Sequence, residues 1–363
     1  MNKILISFFL LILPLSSTNA EYRNPNAGVG ILVFGDFGTG SIEQHNVAQK
    51  MISYCSTNKC DFALTTGDNV YKKGIENAPD GTPKYGVIME RFVNLYKALK
   101  IPIYLTLGNH DINIKGGQGG ILTGINNAVN FSANKLNPVL SNSSRKSFRL
   151  YNLDASFYAK TEIANVYLYA IDTNNFPSSS YKNGEPDKSN SFQLEWLKGQ
   201  LKQQNKRGWT IVFGHMPLLS HGVHGHTDAD EIREFRNGLL ETLCNNQVDF
   251  YLSGHDHHLE INKFECETNK HVLVSIISGA AGIPDKIIPA PITQNDQNLL
   301  WINGEYYEKN RAFIEAPPKN GFVYLELMND TTAHIKLIQL GQPLIQPGNF
   351  IYHKGKNILK NET

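Results

Sequence analysis

The 363 residues balance 34 Lys plus Arg against 33 Asp plus Glu, a formal charge of +1 that offers no basic field for nucleic acid or a membrane surface. Apolar residues make up 41% and charged residues 18%, below the roughly 25% usual in soluble domains, which excludes a disordered chain and allows a large core. One domain over 21–363 is expected, with its core at about 28–340.

The chain opens with Met1-Asn2-Lys3 and an apolar run from Ile4 to Leu13, and Thr18-Asn19-Ala20 supplies small residues for cleavage. This reads as a signal peptide over 1–20, because the run is well short of the ~20 residues that span a bilayer. No stable membrane insertion is expected, and export implies a secreted, periplasmic, lysosomal or vacuolar protein. Export also permits disulfides. Cys55, Cys60, Cys244 and Cys266 allow three connectivities, and pairing of sequence neighbours, Cys55 with Cys60 and Cys244 with Cys266, is expected. Asn130, Asn142, Asn329 and Asn361 each head an N-x-S/T sequon.

Val29 to Phe34 is a continuous apolar run of the kind found in strands buried on both faces, and it ends at Gly35-Asp36-Phe37-Gly38. A helix from about Ser41 to Tyr54 follows, with Ser41 and Gln44 spaced as a capping box. The strand from Asp61 to Thr66 ends at Gly67-Asp68-Asn69-Val70-Tyr71. Val87 to Leu99 has helical spacing, and Ile101 to Leu107 returns to a strand that ends at Gly108-Asn109-His110-Asp111. Gly116 to Gly120 lacks the lysine and strand-to-helix setting of a phosphate-binding loop, so a plain loop is expected.

Ser147 to Tyr158 and Val166 to Asp172 read as strands, and Asn174 to Asn190 as a long polar loop that overhangs the site. A helix from Phe192 to Gln203 precedes the strand Trp209 to Phe213, which ends at Gly214-His215. After a loop holding His221, His224 and His226, a helix from Asp228 to Cys244 leads to the strand Phe250 to Leu252 and Ser253-Gly254-His255-Asp256-His257-His258. His271 to Ile277, Gly321 to Met328 and Thr332 to Leu340 alternate like strands. The expected fold is α/β, a four-layer αββα sandwich of two mixed sheets flanked by helices.

Five places share one grammar: an apolar strand, a glycine, then a metal-binding side chain. They are Asp36, Asp68, Asn109, His215 and His255, the last followed by His257. Ligands in layered α/β folds gather outside the carboxyl ends of strands, so these loops can meet in one crevice. Each alone is weak, since an Asp there is usually a turn former and a lone His a structural residue; together they point to a metal centre.

These residues resemble the calcineurin-like metallophosphoesterases, and within them Gly67 to Tyr71, Gly108 to Asp111 and Gly254 to His257 are similar to the purple acid phosphatases, in particular the small tartrate-resistant type. Most of the superfamily has Asp-x-His at the first motif, where this chain has Asp36-Phe37-Gly38. In the purple acid phosphatases Tyr71 fills that gap, and its phenolate suits a ferric ion.

The resemblance implies an acid phosphatase acting on phosphate monoesters. Asp36, Tyr71, His257 and bridging Asp68 would hold Fe(III); Asn109, His215, His255 and the same Asp68 would hold Fe(II), Zn(II) or Mn(II). Such a pair would supply a hydroxide nucleophile for attack on phosphorus, and an imidazole would protonate the leaving alkoxide. His110 and His224 take the catalytic roles. His221 is the rival of His224, Asp111 is expected to orient His110, and His226 and His258 read as structural or solvent-facing.

The implied partners are small phosphorylated substrates or phosphoproteins, with no nucleic acid, and a monomer is expected. The alternatives are a phosphodiesterase or nucleotide pyrophosphatase on the same core, and a non-catalytic iron-binding protein.

Overall fold

A computed structural model describes residues 28–71, 89–112, 150–151, 159–163, 165–173, 189–203, 208–225, 230–282, 298–302, 305–307, 312–314, 319–341, 348–356 and 358–361. The signal peptide, the Gly116–Gly120 loop, nearly all of the Asn174–Asn190 loop, His226 and two sequons, at Asn130 and Asn142, lie outside these residues.

The strands run in order as β1 (Val29–Phe34), β2 (Phe62–Thr65), β3 (Ile103–Tyr104), β4 (Leu150–Tyr151), β5 (Ala159–Ile163), β6 (Val166–Ala170), β7 (Trp209–Phe213), β8 (Phe250–Ser253) and β9 (Leu259–Glu265). They continue as β10 (Val272–Ser278), β11 (Leu299–Ile302), β12 (Glu305–Tyr307), β13 (Ala312–Ile314), β14 (Gly321–Leu327), β15 (Thr332–Gln339), β16 (Asn349–His353) and β17 (Ile358–Asn361). One sheet of eight has the order β17-β16-β15-β14-β1-β2-β3-β4, and one of seven has β11-β9-β10-β8-β7-β6-β5. Both are mixed: β1 runs parallel to β2 and antiparallel to β14, and β10 parallel to β8 and antiparallel to β9.

Alternation along each strand builds the layers. Ile31, Val33, Phe62 and Leu64 of one sheet pack against Leu168, Ile211, Phe250 and Val274 of the other, forming the middle of the sandwich. The intervening Leu32, Phe34 and Ala63 turn outward onto Val47, Ala48, Met51 and Tyr54 of the helix Ile42–Thr57. On the far side Tyr167, Val212 and Tyr251 meet Leu197 and Leu201 of the helix Ser189–Gln203 and Leu239 and Leu243 of the helix Asp230–Asn245. This is the expected αββα arrangement, and the parallel strands are apolar along most of their length because both faces are covered.

Several elements differ from the sequence expectation. Ser41 does cap the first helix through Gln44 N–H, but the Gln44 side chain receives Gly40 N–H instead of closing the box on Ser41. The expected strand Ile101–Leu107 shrinks to Ile103–Tyr104. Beyond it the chain leaves the ladder: the Thr106 carbonyl accepts from the Asn69 side chain and its hydroxyl donates to the Ile171 carbonyl. Of Ser147–Tyr158 only Leu150–Tyr151 is a described strand, and Ala159–Ile163 forms a further one antiparallel to β6. The first sheet also continues past Leu340, through β16 and β17.

The four cysteines pair as Cys55–Cys60 and Cys244–Cys266, the sequence-neighbour connectivity. No described helix is long and apolar enough to cross a membrane.

Candidate metal centre

The loops after β1, β2, β3, β7 and β8 converge at one end of the two sheets, and glycine is what permits the approach. A Cβ at Gly108 would lie 2.0 Å from Asp68 Oδ1, and one at Gly254 would lie 2.2 Å from Asp36 Oδ2. Three of the converging residues pay in backbone strain: Asp36, Asp68 and His255 have φ of 57°, 51° and 71°, in the left-handed region that L-residues avoid. Strain of this kind clusters at functional sites, where surrounding contacts over-determine it.

Asp36 Oδ1 accepts from the Tyr71 hydroxyl at 3.2 Å and lies 3.5 Å from His257 Nε2, and its Oδ2 accepts from His255 N–H at 3.0 Å. The Tyr71 oxygen is 3.0 Å from His257 Nε2. On the other side of Asp68, His215 Nε2 lies 3.7 Å from Asp68 Oδ1 and 2.8 Å from Asn109 Oδ1. His255 Nδ1 is 3.1 Å from the same Asn109 oxygen and 3.2 Å from His215 Nε2. Donor atoms of Asp36, Asp68 and His215 all fall within 4.8 Å of one another, a candidate metal site.

The chemistry of this donor set fits cations. His215 Nδ1 faces the Thr66 carbonyl at 2.8 Å. A carbonyl only accepts, so Nδ1 carries a proton; whenever the ring is neutral, Nε2 presents a lone pair toward the Asn109 oxygen. Acceptors aimed at acceptors repel unless a positive charge lies among them.

Burial pushes the Asp36 carboxyl above its usual range, against the pull of His257 and His215. Burial, then Asp36 and Asp68, push the Tyr71 phenol far up. Burial depresses His255, with His215, His224 and His257 adding to it. For His215, burial disfavours the charged ring, but Asp68 and Asp36 outweigh it and raise the pKa.

Gly38 has its own reason to lack a side chain. Tyr71 N–H donates to the Gly38 carbonyl at 2.8 Å, and a Cβ at Gly38 would sit 2.0 Å from the Asn69 carbonyl oxygen. The segment carrying Tyr71 occupies the space a side chain at position 38 would need, so the Gly38 and Tyr71 departures are one structural event. Arg91, which nothing in the sequence marked, fastens the same segment by donating to the Tyr71 carbonyl at 2.5 Å.

His110 and His224 flank the centre from two sides. The His110 ring lies 4.4 Å from that of Tyr71, and the His110 backbone N–H donates to Asp68 Oδ1 at 2.8 Å. The His224 ring stacks on His255 at 4.1 Å, and the His224 backbone N–H donates to Asp256 Oδ1 at 3.0 Å. His221 is buried with Nδ1 on Glu260, and His258 is likewise buried with Nε2 on Glu260.

The expected orienting role of Asp111 is corrected. Its carboxylate accepts N–H groups of Asn69, Val70 and Gly108 and the Asn69 amide, so it ties the Asp68 loop to the Asn109 loop. Burial and Asp68 raise Asp111 to about 6 against the lowering effect of those amides.

The stretch Gly279 to Gly282, after β10, was also missed. A Cβ at Gly282 would lie 2.2 Å from the Asp36 carbonyl, and one at Gly279 2.9 Å from Asp36 Oδ2. It follows the strand-glycine grammar but offers no donor, so a search for metal-binding side chains passes over it.

A family model described as calcineurin-like phosphoesterase matches residues 29–259, which include every candidate ligand of this centre. The chain belongs to the calcineurin-like phosphoesterases. Among them it is similar to purple acid phosphatase 4 of Arabidopsis thaliana, 29% identical over 278 residues, 71% of this chain and 72% of that one. It is also similar to tartrate-resistant acid phosphatase type 5 of Oryctolagus cuniculus, 24% identical over 281 residues, 73% of this chain and 72% of that one. Its fold matches the solved structure titled "GAP50 the anchor in the inner membrane complex of Plasmodium" with a TM-score of 0.62 over 90% of this phosphoesterase and 89% of that chain, at 16% identity. That likeness concerns the fold alone.

Proposed function

We propose that this phosphoesterase is an exported acid phosphatase that hydrolyses phosphate monoesters. The observation that carries the reading is the placement of the Tyr71 hydroxyl 3.0 Å from His257 Nε2 and 3.2 Å from Asp36 Oδ1, on a segment that Gly38 makes room for. The likeness to proteins named purple and tartrate-resistant acid phosphatases supports it. The apolar amino-terminal run and the two disulfides support export.

Asp36, Tyr71, His257 and bridging Asp68 would hold Fe(III), and Asn109, His215, His255 and the same Asp68 would hold a divalent ion, Fe(II), Zn(II) or Mn(II). When bound, such a pair supplies Lewis-acid polarisation of the phosphoryl group and neutralises its charge. The Thr66 carbonyl fixes the His215 tautomer with Nε2 free of a proton, as ligation requires. Burial and the neighbouring carboxylates keep the Tyr71 phenol protonated by themselves, so its ionisation calls for a strongly charged cation, which favours a ferric ion at that position.

The His110 side chain is 37% exposed with Nε2 4.0 Å from Asp68 Oδ2, where a ring N–H can donate to a phosphoryl oxygen. His224, on the opposite side, is the general acid that delivers a proton from a ring nitrogen to the leaving alkoxide. His221 is the poorer candidate because its ring is buried on Glu260.

Rates on p-nitrophenyl phosphate and bis(p-nitrophenyl) phosphate compared at pH 5 test this reading. The monoester is expected to turn over at least about tenfold faster in kcat/KM, a difference of ~1.4 kcal/mol in the barrier; a diester preference contradicts it.

A further inference from the structure

Glu260, on β9, is fully buried, and its carboxylate gathers four donors. His221 N–H and Nδ1 reach it at 3.1 and 2.8 Å, His258 Nε2 at 2.7 Å and the Asn262 amide at 2.6 Å. Two of these come from one residue of the loop that leads to His224. The Asn262 amide also reaches back to the Leu219 carbonyl at 3.4 Å, so β9 grips this loop at both Leu219 and His221.

The loop has a second anchor one turn further on. Asp256 accepts from the Ser220 hydroxyl and from His224 N–H, and Gly222 N–H donates to the Ser220 hydroxyl at 3.0 Å. Packing allows little slack between the anchors, since a Cβ at Gly222 would lie 2.7 Å from both Asp256 Oδ1 and His258 Cε1. The His224 ring, three residues past His221, is then laid on His255.

We infer that Glu260 is a positioning residue that sets the location of the His224 imidazole by clamping His221. Among the described residues Glu260 is bonded to His221, His258 and Asn262 and to none of the candidate ligands, so it acts through the loop. A buried carboxylate is suited to this because it accepts from several donors at once, and leaving any of them unmet in the interior is costly. A glutamine in its place offers one acceptor oxygen and turns an N–H₂ toward donors, so the loop must shift to relieve the opposition. Shifts of an ångström in a proton donor are enough to lower its contribution to catalysis.

The inference rests on His224 as general acid, and the leaving group distinguishes the two. A phenolate such as p-nitrophenolate departs without a proton, whereas an alkoxide needs one. Glu260→Gln is expected to lower kcat on glycerol 2-phosphate by about tenfold while kcat on p-nitrophenyl phosphate changes by less than about threefold, a part of the range general acids contribute. Iron content, the visible absorption band and inhibition by inorganic phosphate stay as in the unmodified protein. His221→Asn, which keeps the backbone bond to Glu260, repeats the measurement with a smaller perturbation and decides the matter if Glu260→Gln does not load iron.

Equal losses on both substrates, or no loss, overturn the inference. His224→Ala is run alongside. If it shows the split and the clamp variants do not, the clamp alone is wrong; if it shows none, the general-acid assignment is wrong and the clamp falls with it.

Discussion

Replacing Asp68 with Ala is expected to lower phosphomonoester hydrolysis by about a thousandfold or more, with the metal content of the purified protein falling in parallel. Asp68 lies between the two halves of the donor set, with His215 Nε2 at 3.7 Å from one oxygen and His110 Nε2 at 4.0 Å from the other. A metal pair supplies several kcal/mol of transition-state stabilisation, and ~4 kcal/mol corresponds to about three decades in rate. The substitution also frees the His110 N–H that Asp68 accepts, so the loop carrying Asn109 loses an anchor together with its ligand. Metal analysis beside kcat decides: activity within about tenfold of the unmodified protein would remove Asp68 from the centre.

Gly38→Ala should have the next largest effect, although it removes no functional group. The added Cβ meets the Asn69 carbonyl oxygen at 2.0 Å and the Val70 Cα at 2.5 Å, both backbone atoms that no side-chain rotation moves. Overpacking of this kind costs about 1–3 kcal/mol, read as a lower denaturation midpoint. The segment that must yield is the one carrying Tyr71, whose N–H is bonded to Gly38, so the ring is displaced from Asp36 and His257 and activity falls with stability. A stable Gly38→Ala protein with unchanged activity would contradict the packing argument.

Much of the centre was legible because it obeys a simple rule. Each strand that delivers a candidate ligand is a short apolar run closed by glycine, and period and punctuation together mark its end. The four layers followed from the same alternation, since Ile31 and Val33 face one core and Leu32 and Phe34 the other.

What was not legible depends on contacts between distant segments. β9 reads Leu-Glu-Ile-Asn-Lys-Phe-Glu, and its buried Glu260 and Asn262 look solvent-facing until the His221 loop is placed against them. Asp111 sits beside His110 in sequence, but besides Gly108 N–H it accepts from Val70 and Asn69, 41 and 42 residues away. β3 ended early because the hydrogen-bonding groups of Thr106 are spent on Asn69 and Ile171. Tertiary bonding overrode local pattern in each case.

The central claim is that Tyr71, in the space Gly38 leaves, ligates ferric iron. The visible absorption spectrum of the iron-loaded protein, recorded beside that of Tyr71→Phe with metal analysis of both, tests it most directly. A tyrosinate-to-iron band is expected in the unmodified protein, and a bleached variant that stays folded and retains at least part of its iron. A band that survives the substitution, or a colourless active protein holding only zinc or manganese, would contradict it.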